Sequence, residues 1–439
     1  MSKQIWETRP LEIWGKAKEL RANFQKAINE AAASPNSLLA HGNTGGVDWS
    51  VGFDGLNVVE DNPIGAIMAS RSDSFSREAR LASEIRGWGR ELCGYVNNCW
   101  GCQFLGYDSP DGAPFPYRQL SVPLPDPCDQ HAKRGQQCMD LSPIPRFGAD
   151  WPMYLGPIDP ERESALVEHK VQCILHVINE IERIFGKKYD DEKLFNVLDI
   201  VPRVQVLVTK IAQLMANVPA PLGLKELYSF YTLSVLTKID PQEMLDFWKA
   251  FVDEVQWRVD NKIAAVATER YRWMEAHPSP WHFLRYFRYM EQYGAVCIGS
   301  QYSHMLVEPF KLNDDGTIGR EEQVKVPEGQ KIRTREDALR SIFREARGER
   351  FKDDEYFRKH VITDFAKAFH VDGAIMPLWR AGVGCTLTRK EQGLRLSEMG
   401  VRVLHYEGAQ PGDRTDLDEH DFLDRLDIWM ESQGLEKLA

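Results

Sequence analysis

Residues 372–406, DGAIMPLWRAGVGCTLTRKEQGLRLSEMGVRVLHY, give the clearest indication of the fold class. Residues 372–377 are a short, mostly apolar run bounded by glycine and proline, which predicts a strand. Residues 390–399 predict a helix, and residues 401–406 predict a second strand. A strand, a helix and a further strand in this order are typical of a parallel sheet. The loop before the helix carries Cys385.

The same alternation is predicted on both sides of a long helical region. Other strands are predicted at residues 57–59, 119–124 and 293–299, and other helices at 6–33, 76–90, 129–139, 335–347, 353–369 and 419–433. Residues 159–262 are almost purely helical in pattern, with proline-bearing breaks at 218–221 and 240–241, and residues 312–331 indicate a polar insertion. We therefore expect an α/β fold with two flavodoxin- or Rossmann-like parallel-sheet domains, residues 1–158 and 268–439, joined by a helical connector at 159–267.

Composition limits the classes of protein that this chain can represent. The 439 residues are 43% hydrophobic and 27% charged, as in a globular protein, and the net charge of -11 with no basic stripe argues against a nucleic-acid partner. No apolar run is long enough for a membrane span or a signal peptide. Eight cysteines in a chain of this length favour a reducing cytoplasm, where thiols are kept for chemistry.

Three cysteines that are far apart in the sequence, Cys93, Cys128 and Cys385, lie at predicted boundaries between a helix and a loop or strand. A thiolate at such a turn is close to backbone N–H groups, which lower its pKa and favour its use as a metal or cluster ligand. If the fold brings the three together, they would hold an iron–sulfur cluster with one open iron. Taken singly, each is about as often a buried, inert thiol. Three thiolates and a histidine would also suit a zinc-stabilised scaffold.

The other cysteines have less specific patterns. The pair Cys99-Trp-Gly-Cys102 suggests zinc, a redox dithiol or part of a cluster. Cys173 and Cys297 lie on apolar faces of a predicted helix and strand, and we expect both to be core residues.

Four segments give the chain a specific resemblance: Glu91-Leu-Cys-Gly-Tyr95, Cys128-Asp-Gln-His-Ala-Lys133, His277-Pro-Ser-Pro-Trp281, and the tail from Asp372 through Cys385 to Gly408. In their order and spacing they resemble the family that unites ATP-dependent benzoyl-CoA reductase with the 2-hydroxyacyl-CoA dehydratases. The larger, cluster-bearing subunit of the reductase is the most similar. The resemblance implies that Cys93, Cys128 and Cys385 ligate one [4Fe-4S] cluster.

The resemblance also implies a reaction and a set of partners. The reductase adds two electrons and two protons to a benzoyl ring, whereas the dehydratases use one recycled electron to form a ketyl radical that expels hydroxide. A third alternative is a non-catalytic subunit whose cluster only relays electrons. The chain has no Gly-x-x-x-x-Gly-Lys-[Ser/Thr] motif. The resemblance implies four kinds of partner: ATPase activator subunits with their own [4Fe-4S] cluster, ferredoxin, a homologous second cluster subunit and an aromatic acyl-CoA.

Residues near the proline–tryptophan segment are the candidates for contact with substrate. His277 and His282 are candidate proton donors. Trp281, together with Phe283 and Tyr302, could wall an apolar pocket for a ring, although such aromatic residues more often belong to a core.

Overall fold

The computed structural model describes residues 4–34, 37–42, 47–59, 72–89, 92–107, 112–115, 117, 119–122, 140, 143–147, 160–231, 233, 240–275, 283–300, 310–320, 334–345, 361–379, 389–408 and 418–438. Its α-helices are α1 (Trp14–Ala33), α2 (Asp73–Glu84), α3 (Gly94–Leu105), α4 (Pro160–Phe185), α5 (Asp191–Met215), α6 (Leu224–Tyr231), α7 (Pro241–Asp260), α8 (Arg285–Glu291), α9 (Arg335–Glu345), α10 (Val361–Ala368), α11 (Arg389–Glu398) and α12 (Glu419–Glu431). Its strands are β1 (Leu38–Gly42), β2 (Leu56–Val59), β3 (Leu120–Val122), β4 (Tyr271–Glu275), β5 (Ala295–Ser300), β6 (Phe310–Leu312), β7 (Ile318–Arg320), β8 (Gly373–Trp379) and β9 (Arg402–Gly408).

The first sheet is parallel and three-stranded, with the order β2-β1-β3. Successive side chains of a strand point to opposite faces, and β1 buries both of its faces. Leu38 and Ala40 pack in a cluster with residues of α4 and α9. Leu39 packs instead with Ala31, and with Phe24 at the edge of that contact, both from α1. Helices therefore cover this sheet on both sides.

The second sheet is parallel and four-stranded, with the order β5-β4-β8-β9. Met274 and Ala374 face a cluster that includes residues of α5, α7 and α10. Trp273 and Ile375, one position along each strand, face a second cluster that includes residues of α8 and α12. Both faces of β4 and β8 are therefore covered by apolar clusters. The prediction of an α/β fold with parallel sheets is confirmed, while the domain boundaries after residues 158 and 267 stay predictions.

Two helices of the region between the sheets, α5 and α7, begin at capping aspartates. Asp190 accepts a hydrogen bond from the backbone N–H of Glu192 (3.0 Å) before α5. Asp240 accepts one from Glu243 (3.1 Å) before α7, whose first residue is Pro241. These contacts satisfy backbone donors that have no partner inside a helix. The predicted break at residues 240–241 is therefore an N-terminal cap, and the break at 218–221 separates α5 from α6.

The amino-terminal residues differ from their prediction. We predicted a helix from residue 6, but α1 begins at Trp14. The backbone N–H of Trp6 donates to the carbonyl of Ala267 (2.8 Å), and Glu7 forms a parallel bridge with Ile263. These extended residues are held by a distant part of the chain, which helical periodicity cannot reveal.

Several other elements differ from the sequence-based expectation, and helices α3 and α8 were not predicted. Helix α2 covers residues 73–84 rather than 76–90 and is followed by a turn in which Gly87 has φ +91°, a conformation that favours glycine. Strands β1 and β4 were not predicted. Within the predicted insertion at 312–331, β6 and β7 form an antiparallel hairpin. The predicted helix at 129–139 lies outside the described residues.

Candidate functional site

Cys93 occupies the N-cap position of α3, a helix that was not predicted, whereas the sequence pattern placed Cys93 just after a helix at residues 76–90. Its carbonyl accepts a hydrogen bond from the backbone N–H of Asn97 (2.9 Å), which closes the first turn. The residue is 6% exposed. The first-turn N–H groups of a helix and its dipole favour a negative charge at this position. The geometry therefore suits a thiolate.

Asn97 fixes the loop that leads into Cys93. Its side-chain amide donates to the carbonyl of Gly89 (3.2 Å) and to the carbonyl of Leu92 (3.3 Å). Asn97 is itself buried. The role of Asn97 was not predicted, because an asparagine inside a helix gives no sign that its side chain reaches back to the preceding loop.

An apolar group of side chains surrounds Cys93. It contains Tyr95, Val96 and Trp100, with Trp88 at its edge. The rings of Trp88 and Trp100 lie 4.5 Å apart between centroids. The indole N–H of Trp100 is buried and has no hydrogen-bond partner within the described ranges. A soft sulfur acceptor beside Cys93 would suit that donor, and the apolar wall would keep water away.

The second helix of this region, α2, packs directly on α3. A Cβ on Gly101 would lie 1.8 Å from the carbonyl oxygen of Ala79, so only glycine allows the two backbones to approach this closely. The hydroxyl of Ser83 donates to the carbonyl of Asn97 (2.8 Å), and that of Ser76 donates to the side-chain oxygen of Asn98 (3.2 Å). These contacts hold the helix that begins at Cys93.

Cys99 and Cys102 are both buried within α3. Cys102 packs with Phe75 and Ala79 of α2 and with Phe115, in a different apolar cluster from that of Cys93. Nine residues of α-helix correspond to two and a half turns, so Cys102 points away from the side that Cys93 occupies. Cys102 thus fills the interface between helices in this fold.

The two cysteines that were predicted to be core residues differ in how deeply they are buried. Cys297 is buried on β5, and its burial, together with the nearby charge of Glu275, raises the pKa of its thiol. It therefore stays protonated. Cys173 is only partly buried against the cluster of the first sheet, and its Sγ lies 3.7 Å from Nε2 of His169.

The remaining candidates, Cys128, Cys385, His277, Trp281, His282 and Tyr302, lie outside the described residues. The strands that precede them are described. β3 ends at Val122 upstream of Cys128, β4 ends at Glu275 before His277, and β8 ends at Trp379 before Cys385. In parallel sheets the segments that follow the strands leave at the carboxyl edge, where ligands usually bind. Phe283 is a core residue, packed with Tyr286 and Phe422.

Within the described ranges, no group of three or more His, Cys, Asp or Glu side chains could hold a metal ion. Two of the three predicted ligands are not part of those ranges. The residue that is described, Cys93, fits a cluster ligand by its position at a helix N-terminus and by its apolar surroundings.

The sequence analysis also missed an acidic group at the end of β4. Glu275 is fully buried. It accepts hydrogen bonds from the hydroxyls of Tyr228 (3.0 Å) and Tyr286. A glutamate two residues before His277 was the available signal.

Two parallel sheets covered by helices define an α/β protein, and in the sequence Cys128, His277 and Cys385 follow strands β3, β4 and β8. Residues 65–432 match the family model described as the 2-hydroxyglutaryl-CoA dehydratase D-component. The chain belongs to this family, and the match includes the positions of Cys93, Cys128 and Cys385. No curated protein matches the chain. Among the described helices, none has the length and apolar character needed to cross a bilayer.

Proposed function

We propose that this chain is the [4Fe-4S]-binding subunit of an ATP-dependent benzoyl-CoA reductase, with Cys93, Cys128 and Cys385 as the cluster ligands. The observation that carries the proposal is the placement of Cys93, buried at the N-cap of α3 in a chain that belongs to the dehydratase D-component family. Thiolates are the usual ligands of iron–sulfur clusters.

With three cysteine ligands, the cluster would supply a low-potential electron and one iron that is open to a further ligand. The chain's own residues would exclude water and hold the ligands in place. Trp100, Val96 and Tyr95 form the apolar side of Cys93, and Asn97 holds the loop before it. Water exclusion matters because a strongly reducing site must be kept from competing oxidants.

The proposal includes several partners. A homologous second cluster subunit, ATPase activator subunits with their own [4Fe-4S] cluster, and ferredoxin would deliver the electrons. The substrate would be an aromatic acyl-CoA. The family description names one component of a dehydratase, which supports a role within a multi-subunit enzyme.

A second candidate is a subunit of a 2-hydroxyacyl-CoA dehydratase. The family description favours it, because it names a dehydratase acting on 2-hydroxyglutaryl-CoA. The segments Asn98–Cys102 and Cys128–His131 favour the reductase, because they look more like its larger cluster-bearing subunit. A subunit that only relays electrons is a third candidate, and it is compatible with the same ligands.

An anaerobic assay of the complex co-expressed with its partners tests these candidates. A brown complex that contains iron and acid-labile sulfide supports the cluster, and a colourless protein that contains zinc contradicts it. The complex is then supplied with ATP, a strong reductant, and either benzoyl-CoA or a 2-hydroxyacyl-CoA. Formation of a cyclic diene supports the reductase, and loss of water supports the dehydratase. A cluster spectrum that benzoyl-CoA leaves unchanged during ring reduction indicates an electron relay.

A further inference from the structure

The outer face of α4 carries three side chains of the types that bind transition metals. His169, Cys173 and His176 occupy positions i, i+4 and i+7 of this helix. Residues at this spacing lie on the same side of an α-helix. Both histidines are exposed and Cys173 is half-buried, so solvent and dissolved ions reach all three.

Two of these side chains are already in contact. Sγ of Cys173 lies 3.7 Å from Nε2 of His169. In zinc sites the bonds to sulfur and to nitrogen are about 2.3 and 2.0–2.1 Å long, so a sulfur and a nitrogen around one tetrahedral ion lie about 3.6 Å apart. The pair therefore has the separation of two zinc ligands with almost no movement.

His176 extends this pair by one helical turn. It follows Cys173 by three residues, and side chains at that spacing are neighbours on a helix surface. Within the described ranges no three ligands are gathered around one point, so His176 has to change its rotamer to join the pair. An exposed side chain does so on the nanosecond scale.

Two charged side chains lie beside these residues on α4. Lys170 is buried, and its ammonium lies over the ring of Phe343 (5.8 Å to the centroid), so it points into the fold rather than toward the three ligands. The hydrogen bond from Arg183 first, and to a smaller extent the charge of His176, lower the pKa of Glu180. A carboxylate therefore lies near the His176 end, which favours a cation there.

We propose that His169, Cys173 and His176 form a binding site for Zn²⁺. A thiolate with two imidazoles is a donor set that suits zinc, whereas Mg²⁺ and Ca²⁺ prefer oxygen ligands. On binding, the thiol of Cys173 loses its proton to solvent and the sulfur bonds to the metal, with no change of oxidation state. Water fills the fourth position. The site uses none of the proposed cluster ligands, so it goes beyond the proposed function and does not depend on it.

The observed contact is also compatible with a weak hydrogen bond between two surface side chains that bind nothing. Variants separate the two interpretations. Cys173→Ala removes the thiolate, and His169→Gln and His176→Gln each remove one imidazole but keep a polar side chain. The matched control is His420→Gln, which replaces an exposed histidine on α12, a helix without cysteine.

The test is calorimetric titration of the full chain with Zn²⁺, purified anaerobically and without a histidine tag. The wild type should bind zinc, and Cys173→Ala, His169→Gln and His176→Gln should each weaken the binding by about 10-fold or more. Titration in two buffers of different ionisation enthalpy should show that the wild type releases about one proton more per zinc than Cys173→Ala. Mg²⁺ should give no binding heat. His420→Gln should bind zinc as the wild type does.

A second measurement follows the thiol itself. Bound zinc should slow the alkylation of Cys173 by iodoacetamide by about 10-fold or more, as measured by mass spectrometry of the peptide that contains it. The unfolding midpoints of the metal-free variants should equal that of the wild type, because the replaced side chains lie on the outer face of α4.

Several outcomes overturn the site. These are the absence of zinc binding by the wild type, equal affinities of the wild type and Cys173→Ala, and an equal loss of affinity in His420→Gln. An unchanged affinity in His176→Gln supports the His169–Cys173 pair and overturns the third ligand. Zinc binding that is lost in Cys93→Ser and kept in Cys173→Ala assigns the metal to the proposed cluster ligands. That result overturns the site on α4 and bears separately on the proposed function.

Discussion

The side-chain amide of Asn97 donates a hydrogen bond to the carbonyl of Leu92 (3.3 Å), so the residue before Cys93 is tied to the helix that Cys93 begins. A cluster ligand needs a fixed position, because the ligand distances are short and the geometry is strict. This contact, together with the one to Gly89, makes Asn97 a positioning residue for Cys93.

Asn97→Ala should therefore weaken both the fold and the metal site. It removes two hydrogen bonds from a buried segment, which costs about 1–3 kcal/mol in the free energy of unfolding. Iron content per chain should also fall. The control is Asn217→Ala, which removes a single hydrogen bond to the carbonyl of Leu214 (2.8 Å) far from Cys93 along the chain. If both variants keep the same iron content, Asn97 has no specific role at the site.

Replacing any one of the three proposed cluster ligands should have the same effect. Cys93→Ser, Cys128→Ser and Cys385→Ser should each lower the iron content and abolish ring reduction, because a serine hydroxyl is a harder and weaker ligand for iron than a thiolate. Iron and acid-labile sulfide analysis with the anaerobic assay measures both effects. A variant that keeps full iron and activity removes its residue from the ligand set.

The matched controls for these variants are Cys102→Ala and Cys173→Ala. Cys102 packs between α2 and α3, so alanine should lower the free energy of unfolding by roughly 1 kcal/mol and leave the iron content unchanged. Cys173→Ala should likewise keep the cluster. Loss of iron in Cys102→Ala would instead make the Cys99–Cys102 pair part of the metal site.

A single methyl group added at Gly101 should lower the free energy of unfolding. Gly101→Ala places a Cβ against the backbone of Ala79, so α2 and α3 must move apart at a cost of about 1–3 kcal/mol. Gly15→Ala in α1 is the control, because no atom lies within 4 Å of its Cβ position. That variant should stabilise the protein by up to about 1 kcal/mol, as expected for alanine in a helix. Equal unfolding midpoints for the two variants would contradict the close helix contact.

The free energy of unfolding should depend on pH because of His405. Burial, and then the positive charge of Lys390, lowers the pKa of His405, so the folded protein favours the neutral ring. Below about pH 6.5 this histidine becomes protonated in the unfolded chain, while in the folded protein it is still neutral. The free energy of unfolding should therefore fall as the pH falls from about 6.5 to the lower pKa of the folded state, and should be constant above that window.

The measurement is denaturant unfolding as a function of pH for the wild type and His405→Gln. The free energy of unfolding of the wild type, relative to that of His405→Gln, should fall as the pH falls through this window. Parallel curves would show that His405 does not titrate differently in the folded and unfolded states.

The parts of the fold that were predicted are those in which local pattern and tertiary environment agree. The strand, helix and strand at residues 372–406 appear as β8, α11 and β9. β4 was missed because it contains Arg272 and Glu275, which a buried strand does not usually contain. Arg272 donates to the carbonyls of Asn217 and Met215 (3.0 and 2.9 Å), and Glu275 is bound by two tyrosines. Such partners are distant in sequence, so no local pattern reveals them.

The candidate site also contains features that a local sequence pattern does not reveal. The sequence pattern placed Cys93 just after a predicted helix at residues 76–90, whereas the structure places it at the start of α3, which was not predicted. The roles of Asn97 and of Glu275 depend on the side chains and carbonyls that folding brings to them. A residue type and its immediate neighbours do not specify those partners.

Helix α1 joins parts of the chain that are made at very different times. Its first turns contribute Ala17 and Leu20 to the cluster that includes Val296 and Ala374, and its end contributes Ala31 to the face of β1. The carboxylate of Glu254 caps its start by accepting hydrogen bonds from Glu12 and Ile13 (2.8 and 2.9 Å). During synthesis α1 is made before β5 and β8, so the apolar stripe of α1 stays exposed to water until those two strands have been made and folded against it.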